Sequence, residues 1–510
     1  METIASRRTP RVVGSPVMEV AGKPSSPPAR RWPRRMSDLV VTGADLVVTG
    51  ADLGGPSLVR IRVSQGRITE IGTDLEIGPA DRTFDAGGGG VLPGLHDHHV
   101  HLYAAAAAEH SLRLGPPDVS EREHLVCALT EGDRLAAPGT WLRGIQYHES
   151  VAGPLDRTSL DAIVPNRPVR IQHRSGSQWI LNSRGLELLL PGAFNDDGME
   201  RDASGSPTGR LTRMDRWIDD SLGHASPSLE EISRTAARRG ITGFTDATPF
   251  INSKELTLLE RAKDGGRLRQ RVSVMTAPGS DVACPKHLSI GPVKVVLDDM
   301  TLPTFEELRL IVADSHRAGR AVAVHCVTRV QIVLTSIVLA DVGTIPGDRI
   351  EHGGVIPLEL VPALARLRVT VVTNPGFILD RGDHYLGDVE ALEVPNLYRC
   401  ASLRNAGVSV ACGTDAPFGP SDPWAVAQTA VSRKTRSGKS IGSEERVDPW
   451  TALSMFLGSS VFPATMRTVS PGAAGDLCLL FPPLREGLRE LSVSNVAACI
   501  VAGDLIADNR

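Results

Sequence analysis

The stretch PGLHDHHVHLY, residues 93–103, decides how the rest of the chain is read. Four of the fourteen histidines fall within six positions of it, at 96, 98, 99 and 101. In an extended chain side chains alternate, so His99 and His101 leave the same face. Two imidazoles on one face can hold one metal ion. His96 and His98 need not share that task. A short apolar run, GGVLPGL at 89–95, precedes the cluster and reads as a strand.

Outward from this point, short apolar runs that stop at polar residues recur. They lie at 168–175 (PVRIQHRS), 241–248 (ITGFTDAT), 293–299 (VKVVLDD), 321–327 (AVAVHCV), 348–354 (DRIEHGG), 369–375 (VTVVTNP) and 408–417 (VSVACGTDAP). With 89–95 they make eight. Helical segments fill the gaps. Ser228-x-x-Glu231 and Thr304-x-x-Glu307 have capping-box spacing, and Gly240 and Gly319 stand where the helices should stop. Strands alternating with helices pair in parallel through right-handed crossovers. Eight such units predict an α/β fold, a (β/α)8 TIM-type barrel with its site at the C-terminal strand ends.

The ends of the chain read differently. LVVTGAD occurs twice in tandem at 39–52, and SLVRIRVSQGRITEIG follows with alternation, a glycine turn and a second strand. AGDLCLLF at 474–481 and VAACIVAGDLIAD at 496–508 resemble it. The expectation is a small discontinuous β-sandwich domain formed by both termini, 37–88 and 465–510, around a barrel at 89–464. Residues 1–36 carry eight Lys/Arg and two Glu among many Pro and Ser, a local charge of +6. They read as a disordered basic leader, or as sequence ahead of a true start at Met36, with a targeting or docking arm as the alternative.

Composition narrows the function. The 510 residues carry Lys+Arg 55 and Asp+Glu 59, a net charge of −4, or −10 once the +6 leader is set aside. Aromatic residues are 4% and no basic stripe appears in the folded part, which argues against nucleic acid. No stretch reaches 18 apolar residues, so no membrane span is expected. Seven scattered cysteines without C-x-x-C argue against a disulfide framework and for a cytoplasmic location. A small-molecule substrate is the expected partner, with a homodimer as one assembly.

Other strand ends supply groups that match the histidines. His325 follows AVAV, His352 follows RIE, and Asp415 follows VACGT. A barrel brings such ends together. Only seven of the 55 basic residues are lysines, and Lys294 sits inside the apolar run GPVKVVLDD. It either reaches the barrel mouth, pairs with Asp298 or Asp299, or is held neutral by burial. A neutral amine can take up carbon dioxide as a carbamate, an anionic bridge between metals. Asp246, read as ending the third strand, either orients a neighbour or closes a hydrogen bond in the barrel floor. Cys326 and Cys412 flank candidate ligands and read as small apolar packing residues.

The order H-x-H, Lys, His, His, Asp along a barrel with a β-unit of both termini resembles the amidohydrolase superfamily. GTWLRGIQYHES (139–150), LNSRGL (181–186), GMERDASGSPTGRL (198–211), GITGFTDA (240–247), IEHGG (350–354), GTDAPFGPSDPW (413–424) and PGAAGDL (471–477) are similar to its YtcJ-like, amidohydrolase 3 type branch. The resemblance implies His99, His101, Lys294, His325, His352 and Asp415 as metal ligands. It implies one or two divalent ions, zinc favoured, with Lys294 open to carboxylation. It implies Asp415 as catalytic base and acid, with His352 beside it. The implied reaction is hydrolysis of a non-peptide, amide-type C–N bond. An ester, lactone or C–Cl hydrolase using the same centre is the rival, and a non-catalytic barrel acting as regulator or scaffold is the other. The branch often has Gly-His ahead of Asn-Ser; here Ser177 follows Gly176, leaving His173 as the substitute. Tyr147, His148, His173 and Arg174 are the substrate-side candidates, with Gln146, the 170–174 segment and 380–385 as further loop positions.

Overall fold

Seven short strands close into a ring with the HDHHVH segment, each with one face for the surrounding helices and one for the barrel interior. The computed structural model describes residues 39–46, 58–189, 198–222, 226–249, 251–280, 282–283 and 285–510. The barrel strands, numbered here β1 to β8, are Leu95–Val100, Ile241–Asp246, Arg271–Thr276, Ser289–Val296, Val322–Cys326, Arg349–His352, Thr370–Thr373 and Ser409–Cys412. They hydrogen-bond in that order, every neighbouring pair parallel. Beyond the last strand the ring closes through backbone: Asp415 N–H donates to the His99 carbonyl (2.8 Å) and His101 N–H to the Ala416 carbonyl (2.9 Å). Gly413 lies so close to His99 that any Cβ there would collide with it, which explains a glycine at this seam.

The alternation is visible strand by strand. Val293 and Val295 on β4, and Val322, Val324 and Cys326 on β5, belong to the main hydrophobic core, where Leu308, Val312, Ile332 and Leu339 from the following helices meet them. Lys294 and His325 take the opposite, inward face. Inside, Ala247, Met275 and Ala323 form a small apolar cluster.

Two of the eight expected strands are reassigned. The run at 89–95 is not a barrel strand: Gly90–Pro93 pairs with Leu477–Leu480 in the terminal sheet, and β1 is the histidine segment itself. Residues 90–93 thus pair within the terminal sheet. The run at 168–175 also leaves the barrel. Val169–His173 lies in a separate six-stranded sheet with Leu112–Arg113, Leu142–Tyr147, Gln178–Leu181, Met199–Arg201 and Pro207–Thr212, all inserted between β1 and β2. Its barrel place is taken by Arg271–Thr276, which the expectation omitted. Asp246 consequently ends the second strand, whereas Lys294, His325, His352 and Asp415 keep strands four, five, six and eight.

The termini build one eight-stranded mixed sheet, in which Leu39–Leu46, Leu58–Ser64 and Arg67–Gly72 join Leu477–Leu480, Val496–Val501 and Asp504–Asp508. Residues 1–36 and most of the second LVVTGAD copy lie outside the described residues. Asp476 of the PGAAGDL motif ties this sheet to the barrel. Its buried carboxylate accepts from Arg271 Nε at the foot of β3 (2.6 Å) and from the Ala502 N–H (2.8 Å). Thr304 and Glu307 form a true capping box on the helix Phe305–Arg317. Ser228 does not: the helix Glu230–Arg238 has Leu229 at its cap without a side-chain bond, and Ser228 Oγ only accepts from Glu230 N–H at 3.3 Å.

Candidate metal centre at the barrel mouth

β1 ends at Val100, but His101 keeps an extended backbone (φ −116, ψ 91) before the helix Leu102–Ala108 begins. The alternation therefore runs on through His101, and both odd-numbered histidines face Asp415. Its Oδ1 lies 3.2 Å from His101 Nε2 and 3.6 Å from His99 Nε2. His352 approaches from β6, its Nδ1 3.7 Å from Asp415 Oδ2. The ligand atoms of His99, His352 and Asp415 all lie within 4.8 Å of one another. The ring of His325 stands 4.5 Å from that of His352, centre to centre.

Two of these residues need unusual backbone. On β6 Arg349 and Glu351 share the inward face, so strict alternation would turn His352 outward. His352 instead has φ +66, which ends the strand and returns its ring to the mouth. Asp415 has φ +55. Strained conformations of non-glycine residues persist where the surroundings over-determine them, and such residues cluster at functional sites.

The side chains around the ligands are fixed from behind. His99 Nδ1 bonds Glu351 Oε2, and Glu351 is held by Arg349, whose Nη2 also donates to the His98 carbonyl (2.5 Å). The carboxylate keeps the proton on Nδ1 and leaves the Nε2 lone pair facing Asp415, the arrangement that metal-binding histidines use. His352 Nδ1 donates to Asn374 Oδ1 (2.9 Å), and the Asn374 amide is oriented in turn by its bond to the Gly413 carbonyl (2.8 Å). Asp97 accepts from the N–H of Thr414 (2.9 Å) and of His99 (3.2 Å), clamping β1 to the segment after β8. Burial pushes its carboxyl up to about 6.

Glu351, Arg349, Asn374 and Asp97 were absent from the sequence reading. A signal for the first two existed. Opposite charges at i and i+2 in a four-residue strand with no exposed face must both point into the barrel and pair there.

Burial sets the protonation states. It drives His99 and His352 well below the ordinary histidine value and His325 down to about 3, so the imidazoles are neutral, the form that binds metal. Burial also lowers Lys294. Register places Lys294 opposite Ala323, one inward position deeper than His325. His99 Nε2, Asp415 Oδ1 and Lys294 Nζ are buried without any hydrogen-bond partner. Unpaired buried polar atoms are costly. His99 Nε2 and Asp415 Oδ1 lie 3.6 Å apart, and Lys294 is near enough to feel the Asp415 and Glu351 charges. Bare donor atoms among neutral imidazoles fit a divalent cation.

The remaining candidates divide. Asp246 Oδ1 accepts from Thr248 N–H (2.9 Å), the Thr248 hydroxyl touches His101 Nδ1 (3.3 Å), and Asp246 Oδ2 is buried without a hydrogen-bond partner. Cys326 and Cys412 are buried against Thr335 and Met455, and burial lifts the Cys326 thiol to about 12. His96 stacks on His98 and contacts the Thr245 hydroxyl, apart from the ligands. Among the substrate-side candidates, Tyr147 is buried in the core of the inserted sheet, and its hydroxyl donates to the Gly153 carbonyl (2.5 Å). Gln146 reaches the mouth, donating to the Pro417 carbonyl at 3.3 Å. His173 ends its strand, and His148 and Arg174 follow the ends of theirs.

Known proteins share the sequence pattern and the fold of this chain. The sequence model described as "Amidohydrolase family" matches residues 82–503. An N-substituted formamide deformylase of Arthrobacter pascens is 25% identical over 458 residues, covering 78% of this chain and 84% of that protein. The putative amidohydrolase YtcJ of Bacillus subtilis (strain 168) is 22% identical over 431 residues, 75% and 81% of the two chains. An uncharacterized metal-dependent hydrolase from Pyrococcus horikoshii shares the fold with a TM-score of 0.66 at 19% identity, over 87% of this chain and 97% of that one. With its barrel, its terminal sheet and its convergent strand ends, the chain belongs to the amidohydrolase family and is a hydrolase.

Proposed function

We propose that this protein hydrolyses an amide-type, non-peptide C–N bond of a small molecule at the centre formed by His99, His101, Lys294, His325, His352 and Asp415. The observation that carries the reading is that His99 Nε2 and Asp415 Oδ1, 3.6 Å apart, and Lys294 Nζ are all buried and unpartnered. Imidazole and carboxylate donors suit zinc. A divalent ion held there supplies Lewis-acid polarisation and lowers the pKa of water towards neutrality.

The chain's own residues do the rest. Asp415 accepts the proton from the attacking water and returns it to the departing nitrogen. Its carboxylate is presented by φ +55 and by the Asp415 N–H bond to the His99 carbonyl, so it needs no reorganisation during turnover. His352, held by Asn374, stands beside it where charge develops on the carbonyl oxygen. Lys294, buried and depressed towards the neutral amine, is in the form that takes up carbon dioxide. A small-molecule substrate enters past Gln146 and Phe418, the latter with its ring 5.3 Å from His101. No helix among the described residues is long and apolar enough to cross a membrane, and the six described cysteines are unpaired, which supports a reducing compartment.

The deformylase relative makes N-formyl amines the first compounds to try. Elemental analysis of purified protein, followed by a hydrolysis screen of N-formyl, N-acyl, carbamate and cyclic amide compounds, tests the reading. Stoichiometric metal and turnover lost in Asp415→Asn are expected. Full turnover in Asp415→Asn, or protein active without stoichiometric metal, overturns it.

A further inference from the structure

The inserted sheet carries a second group of ligand-type side chains that the proposed reaction does not use. His148 follows the strand Leu142–Tyr147, Glu149 opens the short helix Glu149–Ala152, and His173 closes the neighbouring strand Val169–His173. These two strands are parallel partners, with Tyr147 opposite His173, so their ends are side by side. The ligand atoms of His148, Glu149 and His173 lie within 4.8 Å of one another. Glu149 Oε2 is 3.1 Å from His173 Nε2 and 3.9 Å from His148 Nε2. A third ring, His384, stands edge-on to His148 at 5.2 Å.

Each of the first two rings is backed by the same local device. His148 Nδ1 is 2.8 Å from Ser150 Oγ, and His173 Nδ1 is 2.8 Å from Ser175 Oγ. The spacing H-x-S is thus used twice, on two loops, to aim two Nε2 atoms at one carboxylate. Histidines that bind metal through one nitrogen donate the other N–H to an oxygen, and a serine hydroxyl accepts it well. Without an ion, the N–H groups of Ser150 and Ser175, each 3.2 Å away, donate to the same Nδ1 atoms. Each neutral ring then carries its proton on Nε2, towards Glu149. On loading, that proton moves to Nδ1, the serine N–H gives up its bond to Nδ1 and the hydroxyl turns to accept the new N–H, so each ring stays neutral. The guanidinium of Arg174, whose charge acts on both rings, is 3.7 Å from the Asp388 carboxylate.

We propose that His148, Glu149 and His173 form a second divalent-cation site, of the zinc-binding His2Glu type, on the wall of the barrel mouth. Three protein ligands leave a coordination position open. The site is separate from the buried centre but near it. Gly176 N–H donates to the His173 carbonyl (2.9 Å), and Gly176 packs on Phe418, the ring that touches His101. An ion here has an open position one side-chain layer from the reaction centre, where an anionic group of a ligand can reach it.

The experiment uses the full chain and zinc chloride alone. Protein equilibrated with excess zinc and desalted is assayed for zinc per chain, in the wild type, in the His148→Ala/His173→Ala double variant and in Glu149→Gln. Wild type is expected to carry one zinc more per chain than either variant. Equal zinc in all three overturns the proposal. Glu149→Gln keeps the side-chain size and gives the answer alone if the double variant does not fold, and cobalt(II) substitution adds a spectral readout, a visible absorption component present in wild type and absent from Glu149→Gln. The difference of one ion stands whether or not the buried centre is filled, so a failure here is distinguishable from a failure at Asp415.

Discussion

The centre at His99, His352 and Asp415 and the cluster at His148, Glu149 and His173 are made of the same side-chain types, and the fold treats them in opposite ways. In the first every ligand residue is buried. Its partners come from distant strands: Glu351 and Arg349 behind His99, Asn374 behind His352. In the second the residues are half-buried or exposed, and each histidine is braced only by a serine two positions on. Long-range bracing leaves donor atoms bare inside the protein, where only a ligand can satisfy them. Local bracing leaves a group that hydrogen-bonds to itself when empty. The first arrangement commits the fold to a cation, whereas the second permits one.

Charge removal separates the two most widely. Asp415→Asn should lower kcat by about 10²–10⁴-fold, the range for loss of a general acid–base group, with bound metal still measured by elemental analysis. Glu149→Gln should remove one zinc from the outer loops and leave the metal content of the buried centre as it was. The bracing itself comes next. Glu351→Gln, which weakens the hold on His99, should reduce metal affinity of the buried centre by about 10–100-fold, read by competition with a chromogenic chelator. Unchanged affinity would mean that the Arg349–Glu351–His99 line only fills space.

Two lysines extend the contrast between a bare group and a satisfied one. Lys294 has no partner, while Lys263 Nζ donates to the Gln270 carbonyl (2.6 Å) and is lowered by burial to about 8. The folded-state value lies below the unfolded one, so the unfolded chain binds the extra proton between them. The stability tied to this group is fully present above about 10.5 and is lost as pH falls through about 8. Urea midpoints from pH 7.5 to 10.5 should rise in the wild type by more than in Lys263→Met. Identical slopes would remove Lys263 from the account.

The smallest effect concerns the two expected capping boxes. Thr304→Ala should cost about 1 kcal/mol by urea denaturation. Ser228→Ala should stay within about 0.5 kcal/mol, because no box forms there.

Much of the site was legible in the chain. His99 and His101 follow from alternation alone, and His325, His352 and Asp415 from polar groups placed where apolar runs stop. Strand membership was not legible in the same way. PVRIQHRS at 168–175 is as good a barrel strand as RVSVMT at 271–276, and more conspicuous, because Ser273 interrupts the second. Local periodicity reports burial on one face and says nothing about which sheet supplies the neighbour. The partners behind the ligands were hidden for a related reason. Glu351 and Asn374 look like ordinary polar residues until the barrel closes and puts them 252 and 22 positions from the histidines they hold.

The amino-acid order by itself determined the α/β class, the terminal origin of the small β-unit and the candidate positions His99, His101, His325, His352 and Asp415. Those depend on residue type and on periods of two and 3.6, which are local. Tertiary structure alone decided which runs enter the barrel, that φ +66 turns His352 inward, that Tyr147 is lost to a core, and that His148 and His173 meet over Glu149. Each of these depends on contacts between segments far apart in the chain, whose geometry exists only once the sheets have closed.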